Sequence, residues 1–236
     1  MKNNNLPKSR FCSIPPTKFR KWDEIDAILW RVGKNDAQGF SGDFYLNAYK
    51  DAYVQYNRDK IIHYANAAGI RPDLLAGVAW IESGGMPENF KFQVFEVKRM
   101  IPWLRKPVEK TSFGSVATQI RVAAVTLGLD PSELTTRDQL DLATCLMEDD
   151  FNLQVSANYL RDNFLYDYPD SPSLYMTDEQ YMMVGIRYNR GVQRSRDDFL
   201  KIIKRAPMKG TDDYNFISYG VRLLEIRPHI RLLLKE

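Results

Sequence analysis

The chain has 236 residues, of which 44% are hydrophobic and 12% aromatic, and it carries a net charge of +3. This composition is ample for one packed core and excludes a chain that is disordered throughout. No stretch approaches the roughly 20 apolar residues that a membrane-spanning helix needs, so we expect no membrane insertion. Two cysteines are too few for a disulfide framework and no metal-binding spacing occurs, so we expect neither a metal nor another cofactor.

The first 57 residues differ from the rest of the chain. Their leader, MKNNNLPKSRFCSIPP, is polar and lacks the apolar core of a secretory signal, so we expect a protein made in the cytoplasm and not exported by the general secretory route. Aromatic residues then become frequent, with helical spacing in WDEIDAILWRV. The pattern predicts a helical extension over 1–57 that packs on a main domain over 58–236, with a small separate domain as the alternative.

The segments that follow are mostly helical. RDKIIHYANAAG (58–69) ends on glycine, typical of a left-handed C-cap. Pro72 opens RPDLLAGVAWIES, because proline is tolerated in a first helical turn. FKFQVFEV (90–97) is the best strand candidate, and SVATQIRVAAVTLG (115–128) again has helical spacing.

Two capping boxes predict further helix starts, at TRDQ (136–139) and TDEQ (177–180). The segments 149–164 and 195–206 and the Arg- and Leu-rich C-terminus also have helical spacing. Cys145 lies in an apolar helical pattern and is expected to be a small core residue. The sequence therefore predicts a mainly α-helical fold.

Glu82 is the first candidate for chemistry. It closes the apolar run LLAGVAWI and is followed by one serine and two glycines. A carboxyl group at the end of a buried helix loses water, which favours its neutral form and suits a general acid. The glycines leave space beside it for a ligand. A solvent-exposed glutamate at an ordinary helix end is the alternative.

Three other short motifs follow in order: Gly114 with Gln119, Asn152 before Tyr159-Leu160, and Tyr188-Asn189 before Gly191. Together with Glu82-Ser83, this order resembles the soluble lytic transglycosylases and goose-type lysozymes of the lysozyme superfamily. The resemblance covers residues 58–192. It departs from the family where Gln119 stands five residues after the glycine instead of three.

The resemblance implies a lysozyme-like helical domain that cleaves the MurNAc–GlcNAc β-1,4 bond of peptidoglycan glycan strands. It implies Glu82 as the general acid and base, with Tyr188 in a supporting catalytic role through a hydroxyl that donates to Glu82. The candidate substrate-binding residues are Ser83, Gly114, Gln119, Asn189 and Trp103, of which Trp103 would stack on a sugar ring. Arg187, next to the expected cleft, is either a contact for an anionic lactyl group or solvated.

Several alternatives stay open at this point. Goose-type relatives often have an aspartate just beyond the glutamine, where this chain has Ile120 and Arg121. The absence of an aspartate at this place favours a transglycosylase over a hydrolytic lysozyme. A substrate outside the cytoplasm suggests an interbacterial effector, exported by a contractile type VI-like system and paired with an immunity protein, ahead of a phage-type lytic enzyme.

Two classes of non-enzymatic protein remain as rivals. A lysozyme-like module could bind peptidoglycan or a secretion component without cleaving it. The basic ends of the chain could instead bind nucleic acid, but the middle is acidic and no recognition motif is present, so we expect no nucleic-acid partner.

Overall fold

The computed structural model describes residues 19–33, 42–85, 87, 110–192 and 194–236. Within these ranges the chain is mainly helical, as predicted, with one two-stranded hairpin. The elements are α1 (Glu24–Gly33), α2 (Gly42–Tyr56), α3 (Arg58–Ala68), α4 (Pro72–Glu82), β1 (Ser112–Phe113), β2 (Thr118–Gln119), α5 (Ile120–Thr126), α6 (Thr136–Leu146), α7 (Asp149–Asp167), α8 (Asp178–Arg190), α9 (Arg196–Arg205) and α10 (Asp212–Leu234), with a 3₁₀ turn at Pro131–Glu133.

Helix ends that depend on local signals are where the sequence placed them. Gly69 ends α3 with φ +71°, and Pro72 occupies the first turn of α4. At the start of α8, the Thr177 hydroxyl accepts from the Gln180 amide while the Gln180 side chain accepts from the Thr177 amide. These three predictions are confirmed because each signal acts within about four residues.

The predicted helix over 115–128 is wrong in its first part. The chain forms the antiparallel pair β1–β2 before α5 begins at Ile120. The buried side chain of Asn152 holds the connecting turn, accepting from the Val116 amide at 2.9 Å and donating to the Phe113 carbonyl at 3.2 Å. A tertiary contact therefore overrides the helical pattern of this segment.

Two smaller predictions on α6 also need correction. The capping box lies one residue before the predicted one, with Thr135 as the N-cap and Asp138 as its partner. Cys145 is exposed instead of buried. Ala143 and Leu146, three residues apart and so on one helix face, take the buried side of α6.

Glycines let α8 and α10 approach closely. A Cβ atom added to Gly220 would lie 2.3 Å from the carbonyl oxygen of Met182, and one added to Gly185 would lie 3.1 Å from the Cα of Gly220. On α4, Gly77 makes room for Leu223 of α10 in the same way. These contacts bring the C-terminal half of α8 and the middle of α10 together beside α4.

The residues before 58 pack on the rest of the molecule. Tyr53 and Val54 of α2 are fully buried in the core cluster that also contains most of α4. Ahead of α1, Lys21 forms an ion pair with Asp149 of α7 at 2.5 Å, and the Trp22 indole donates to the Gly85 carbonyl at 3.0 Å. The extension thus reaches both the hairpin side of the molecule and the segment that follows α4.

Among the described helices, not one combines the length and apolar character that crossing a membrane requires. The strand candidate at 90–97 lies outside the described residues.

Candidate active site

The end of α4 places Glu82 between the core and the surface. Residues 73 to 80 are buried, whereas the Glu82 side chain is half-buried. Ser83 continues in an extended conformation, and its amide bonds the carbonyl of Ala79 at 3.0 Å. Glu82 is therefore the last residue of a mostly buried helix, and its side chain is only partly exposed to solvent.

Ser83 and the two glycines behind it shape this end of the helix. Ser83 is buried, and its hydroxyl donates to the Trp80 carbonyl at 3.4 Å, which is a helix-capping contact. Gly84 and Gly85 have φ values of +80° and +90°, which favour glycine. Both line a cavity of about 470 Å³, and a Cβ added to Gly85 would meet nothing within 4 Å.

Two tyrosines lie beside Glu82. Tyr188 on α8 and Tyr219 on α10 stack with ring centroids 5.9 Å apart. Loss of hydration raises the pKa of both hydroxyls well above the ordinary value, and the charge of Glu82 raises it further. Both hydroxyls therefore stay protonated across the physiological range, and both sense the same carboxylate.

The two hydroxyls differ in their partners. Tyr188 donates to the Val116 carbonyl at 2.7 Å and so holds the hairpin turn. The sequence had predicted that this hydroxyl donates to Glu82 instead. The Tyr219 hydroxyl is buried and has no partner at full hydrogen-bond geometry, although Glu82 is near enough as an acceptor to raise the pKa of Tyr219.

Lys50 caps the carbonyl end of α4. Its ammonium group, on α2, donates to the carbonyls of Trp80 at 2.8 Å and Ile81 at 2.5 Å. A cation at the C-terminus of a helix is stabilised by the helix dipole. Burial nevertheless lowers the pKa of Lys50 to about 7, with the charge of Arg222 acting in the same direction and that of Glu82 opposing it.

The hairpin is fixed by close packing. Gly114 has φ +74°, and an added Cβ would lie 2.1 Å from the Leu146 carbonyl and 2.7 Å from the Asn152 side chain. Thr118 in β2 hydrogen bonds with Ser156 of α7 at 2.8 Å. Gly114 therefore has a packing role that accounts for the glycine, and no ligand is needed to explain it.

Gln119 and Asn189 meet at a small cavity. They line it together with Tyr188, and its volume is about 80 Å³. The Gln119 side-chain oxygen accepts from Arg121 at 2.7 Å, whereas Asn189 is exposed. Gln119 and Asn189, which are 70 positions apart in sequence, thus line one cavity with Tyr188, the tyrosine whose pKa is raised by the charge of Glu82.

Sequence reasoning missed Lys50, Tyr219 and the role of Arg187. Lys50 and Tyr219 lie outside 58–192, the range of the resemblance, and no local pattern distinguishes either from an ordinary surface or core residue. Arg187 is fully buried and is neither solvated nor available to a ligand, since it pairs with Asp167 through two bonds of 2.7 and 2.8 Å. Trp103 lies outside the described residues.

The described residues contain no group of three His, Cys, Asp or Glu side chains arranged to hold a metal ion. No family model, curated protein or solved structure matches this chain.

Lys50 leads to a prediction about stability. Its pKa in the folded protein, about 7, lies below the ordinary value of 10.5, so the unfolded chain binds more protons between these values. The contribution of Lys50 to the free energy of unfolding should therefore increase as the pH rises from 7 towards 10.5, by at most about 1.4 kcal/mol per pH unit. Urea denaturation at pH 7 and pH 9 should show wild type gaining stability relative to Lys50→Met.

Lys201→Met on the exposed face of α9 serves as the control. Its stability difference from wild type should be the same at the two pH values. A constant difference for Lys50→Met as well would show that Lys50 is fully charged in the folded protein.

Proposed function

We propose that this chain is a peptidoglycan lytic transglycosylase that cleaves the β-1,4 bond between MurNAc and GlcNAc. The observation that carries the proposal is the position of Glu82 at the last turn of a buried helix, within electrostatic range of the hydroxyls of Tyr188 on α8 and Tyr219 on α10. The order of motifs that resembles the lysozyme superfamily supplies the reaction class, because the geometry around one carboxylate is compatible with several acid-catalysed reactions.

In the first step Glu82, protonated, donates its proton to the glycosidic oxygen of the leaving GlcNAc. The bond from that oxygen to C1 of MurNAc breaks, and positive charge develops at C1. We assign the sugar to the cavity of about 470 Å³ that is lined by Gly84 and Gly85, which follow Glu82 and Ser83 in the chain.

In the second step the Glu82 carboxylate takes the proton from the C6 hydroxyl of MurNAc while that oxygen closes onto C1. The product is a 1,6-anhydro sugar, and no water is consumed. The Tyr219 hydroxyl, which remains protonated, is placed to donate to the carboxylate during this step. The charged form of Lys50 stabilises the same carboxylate through space.

The two residues that follow Gln119 favour transglycosylation over hydrolysis, because neither is a carboxylate that could act as a base. Ile120 is fully buried, and Arg121 is held by Gln119, so neither can activate water. Hydrolytic glycosidases commonly use a second carboxylate for that purpose.

Product analysis tests the proposal. Digestion of purified peptidoglycan, followed by mass spectrometry of the soluble fragments, should show MurNAc ends that lack one water relative to reducing ends. Reducing ends would contradict transglycosylation while keeping Glu82 as the acid. No soluble fragments from intact peptidoglycan would contradict the enzymatic proposal as a whole.

A further inference from the structure

Helix α1 buries a carboxylate and leaves its large aliphatic side chains exposed. Asp26 is 1% exposed, and its carboxylate accepts from the hydroxyl of Tyr45 on α2 at 2.6 Å. Arg20, which precedes the helix, donates to the same carboxylate at 2.6 Å. A helix at the surface of a globular protein ordinarily turns its apolar side to the core, so the orientation of α1 is the reverse of the usual one.

Four aliphatic side chains form a stripe along the outer side of this helix, called here the α1 stripe. Each is between 39% and 67% exposed, and they are Ile25, Ile28, Leu29 and Val32. They stand at positions i, i+3, i+4 and i+7, which share one face of a helix. This spacing is that of the seam between two paired helices, with Ile25 and Val32 at one apolar heptad position and Ile28 at the other.

The charges that flank the α1 stripe have opposite signs at its two ends. Glu24 and Arg31 are exposed and seven residues apart, so they lie on the same side of the stripe, one in the first turn and one in the last. Within the described parts of the chain neither has an ion-pair partner. When two such helices pair in antiparallel directions, Glu24 of one copy meets Arg31 of the other at both ends of the seam. Parallel pairing would instead bring like charges together.

The α1 stripe and the candidate active site lie on different sides of the helix. Trp30 stands four residues after Asp26 and therefore shares its inner face, where it lines the cavity of about 470 Å³. The stripe residues are not part of that cavity's wall. An interaction through the stripe is therefore separate from the proposed reaction and does not depend on it.

We propose that the protein forms a symmetric homodimer in which the α1 stripes of two copies pack in antiparallel directions about a twofold axis. Such an interface uses the same surface of both copies, so that surface has to be complementary to itself. The α1 stripe meets this condition, because its apolar positions match when the helix direction is reversed and its flanking charges change sign from one end to the other. The buried bonds of Asp26 hold the inner face of α1 on α2, which leaves the outer face for the second copy.

The length of the helix sets the strength of this dimer. A helix of 10 residues gives a contact at the small end of specific interfaces, below about 1,200 Å² in total, where association is reversible. We therefore expect monomer and dimer in equilibrium. Sedimentation velocity of the full chain, at concentrations from about 1 to about 200 µM, should show the average mass rising from that of a monomer towards that of a dimer.

Ile28→Glu tests the apolar part of the contact. The change puts a charge in the middle of the seam on both copies, so it should raise the dissociation constant of the dimer by at least about tenfold. Leu232→Glu on α10 is the matched control, because Leu232 is also an aliphatic residue that is exposed on a helix. Its dissociation constant should stay within about twofold of wild type. Thermal melting of each variant separates loss of association from loss of folding.

Charge reversal tests the antiparallel direction. Glu24→Arg and Arg31→Glu, each made singly, place like charges together at both ends of an antiparallel seam and should weaken the dimer by about threefold to tenfold. An equimolar mixture of the two variants should recover dimers, since every flanking pair is then oppositely charged. A wild type that is monomeric at all concentrations, a dimer that survives Ile28→Glu, or single reversals without effect would each overturn the proposal.

Discussion

Glu82→Gln should reduce the release of soluble fragments from peptidoglycan by at least about a hundredfold, and by up to about ten-thousandfold if proton donation limits the rate. Glutamine is nearly the same size and can keep hydrogen bonds at the end of α4, but it has no proton to transfer. Directed to the periplasm of a test bacterium, wild type should cause lysis and the variant should not.

Glu225→Gln is the matched control, since this glutamate is exposed on α10, the helix that carries Tyr219. Its activity should stay within about twofold of wild type. Both variants should unfold within about 1 kcal/mol of wild type, because neither removes core packing. Equal lysis by wild type and Glu82→Gln would reject an enzymatic role for this carboxylate and leave a binding module as the better interpretation.

Arg187→Met should lower the free energy of unfolding by about 3–5 kcal/mol, the usual cost of leaving one member of a buried ion pair alone. Arg187 is 0% exposed, and its partner Asp167 is also buried. Methionine fills part of the volume but leaves the Asp167 carboxylate without its cation. The carbonyls of Gly191 and Arg194, which accept from the same guanidinium, also lose a donor.

A double variant isolates the cause. Arg187→Met with Asp167→Leu removes both charges, so it should recover much of the stability, because hydrophobic replacements of buried ion pairs are often neutral. Arg137→Met, at an exposed pair, should change stability by less than about 0.5 kcal/mol. Urea denaturation provides the measurement, and a loss below about 1 kcal/mol for Arg187→Met would contradict the assigned pair.

This ion pair also bears on the site. Arg187 immediately precedes Tyr188 and holds the end of α8 to α7. Partial loss of that anchor should displace Tyr188 from the Val116 carbonyl and so loosen the hairpin turn. We therefore expect activity of the single variant to fall more than its folded fraction alone explains.

The structure brings some of the residues chosen from sequence near one another, and their roles stay predictions. Tyr188, chosen from sequence, lies within electrostatic range of Glu82 and lines the small cavity together with Gln119 and Asn189. Gly114 and Ser83 have local packing and capping contacts that account for them. Their predicted part in substrate binding is still a prediction, as is that of Trp103.

The sequence by itself determined the helical class and those helix ends whose signals are local. Gly69, Pro72 and Thr177 each act on backbone groups within one turn, so their effect does not depend on the rest of the chain. The burial of α4 also followed from its composition, because a helix that is apolar on most faces has to lie in a core.

Tertiary structure alone decided the rest. Residues 115–119 have a helical pattern but form a turn and a strand, in which they hydrogen bond with Asn152 and Ser156, more than 30 positions away. Arg187 became a buried ion-pair partner through the packing of α8 on α7. Lys50 reached the end of α4 from α2, and Tyr219 came near Glu82 on α10, which Gly185 and Gly220 let approach α8 closely. Charge, burial and hydrogen bonding at such positions depend on groups that are distant in sequence, which is why one-dimensional patterns did not identify them.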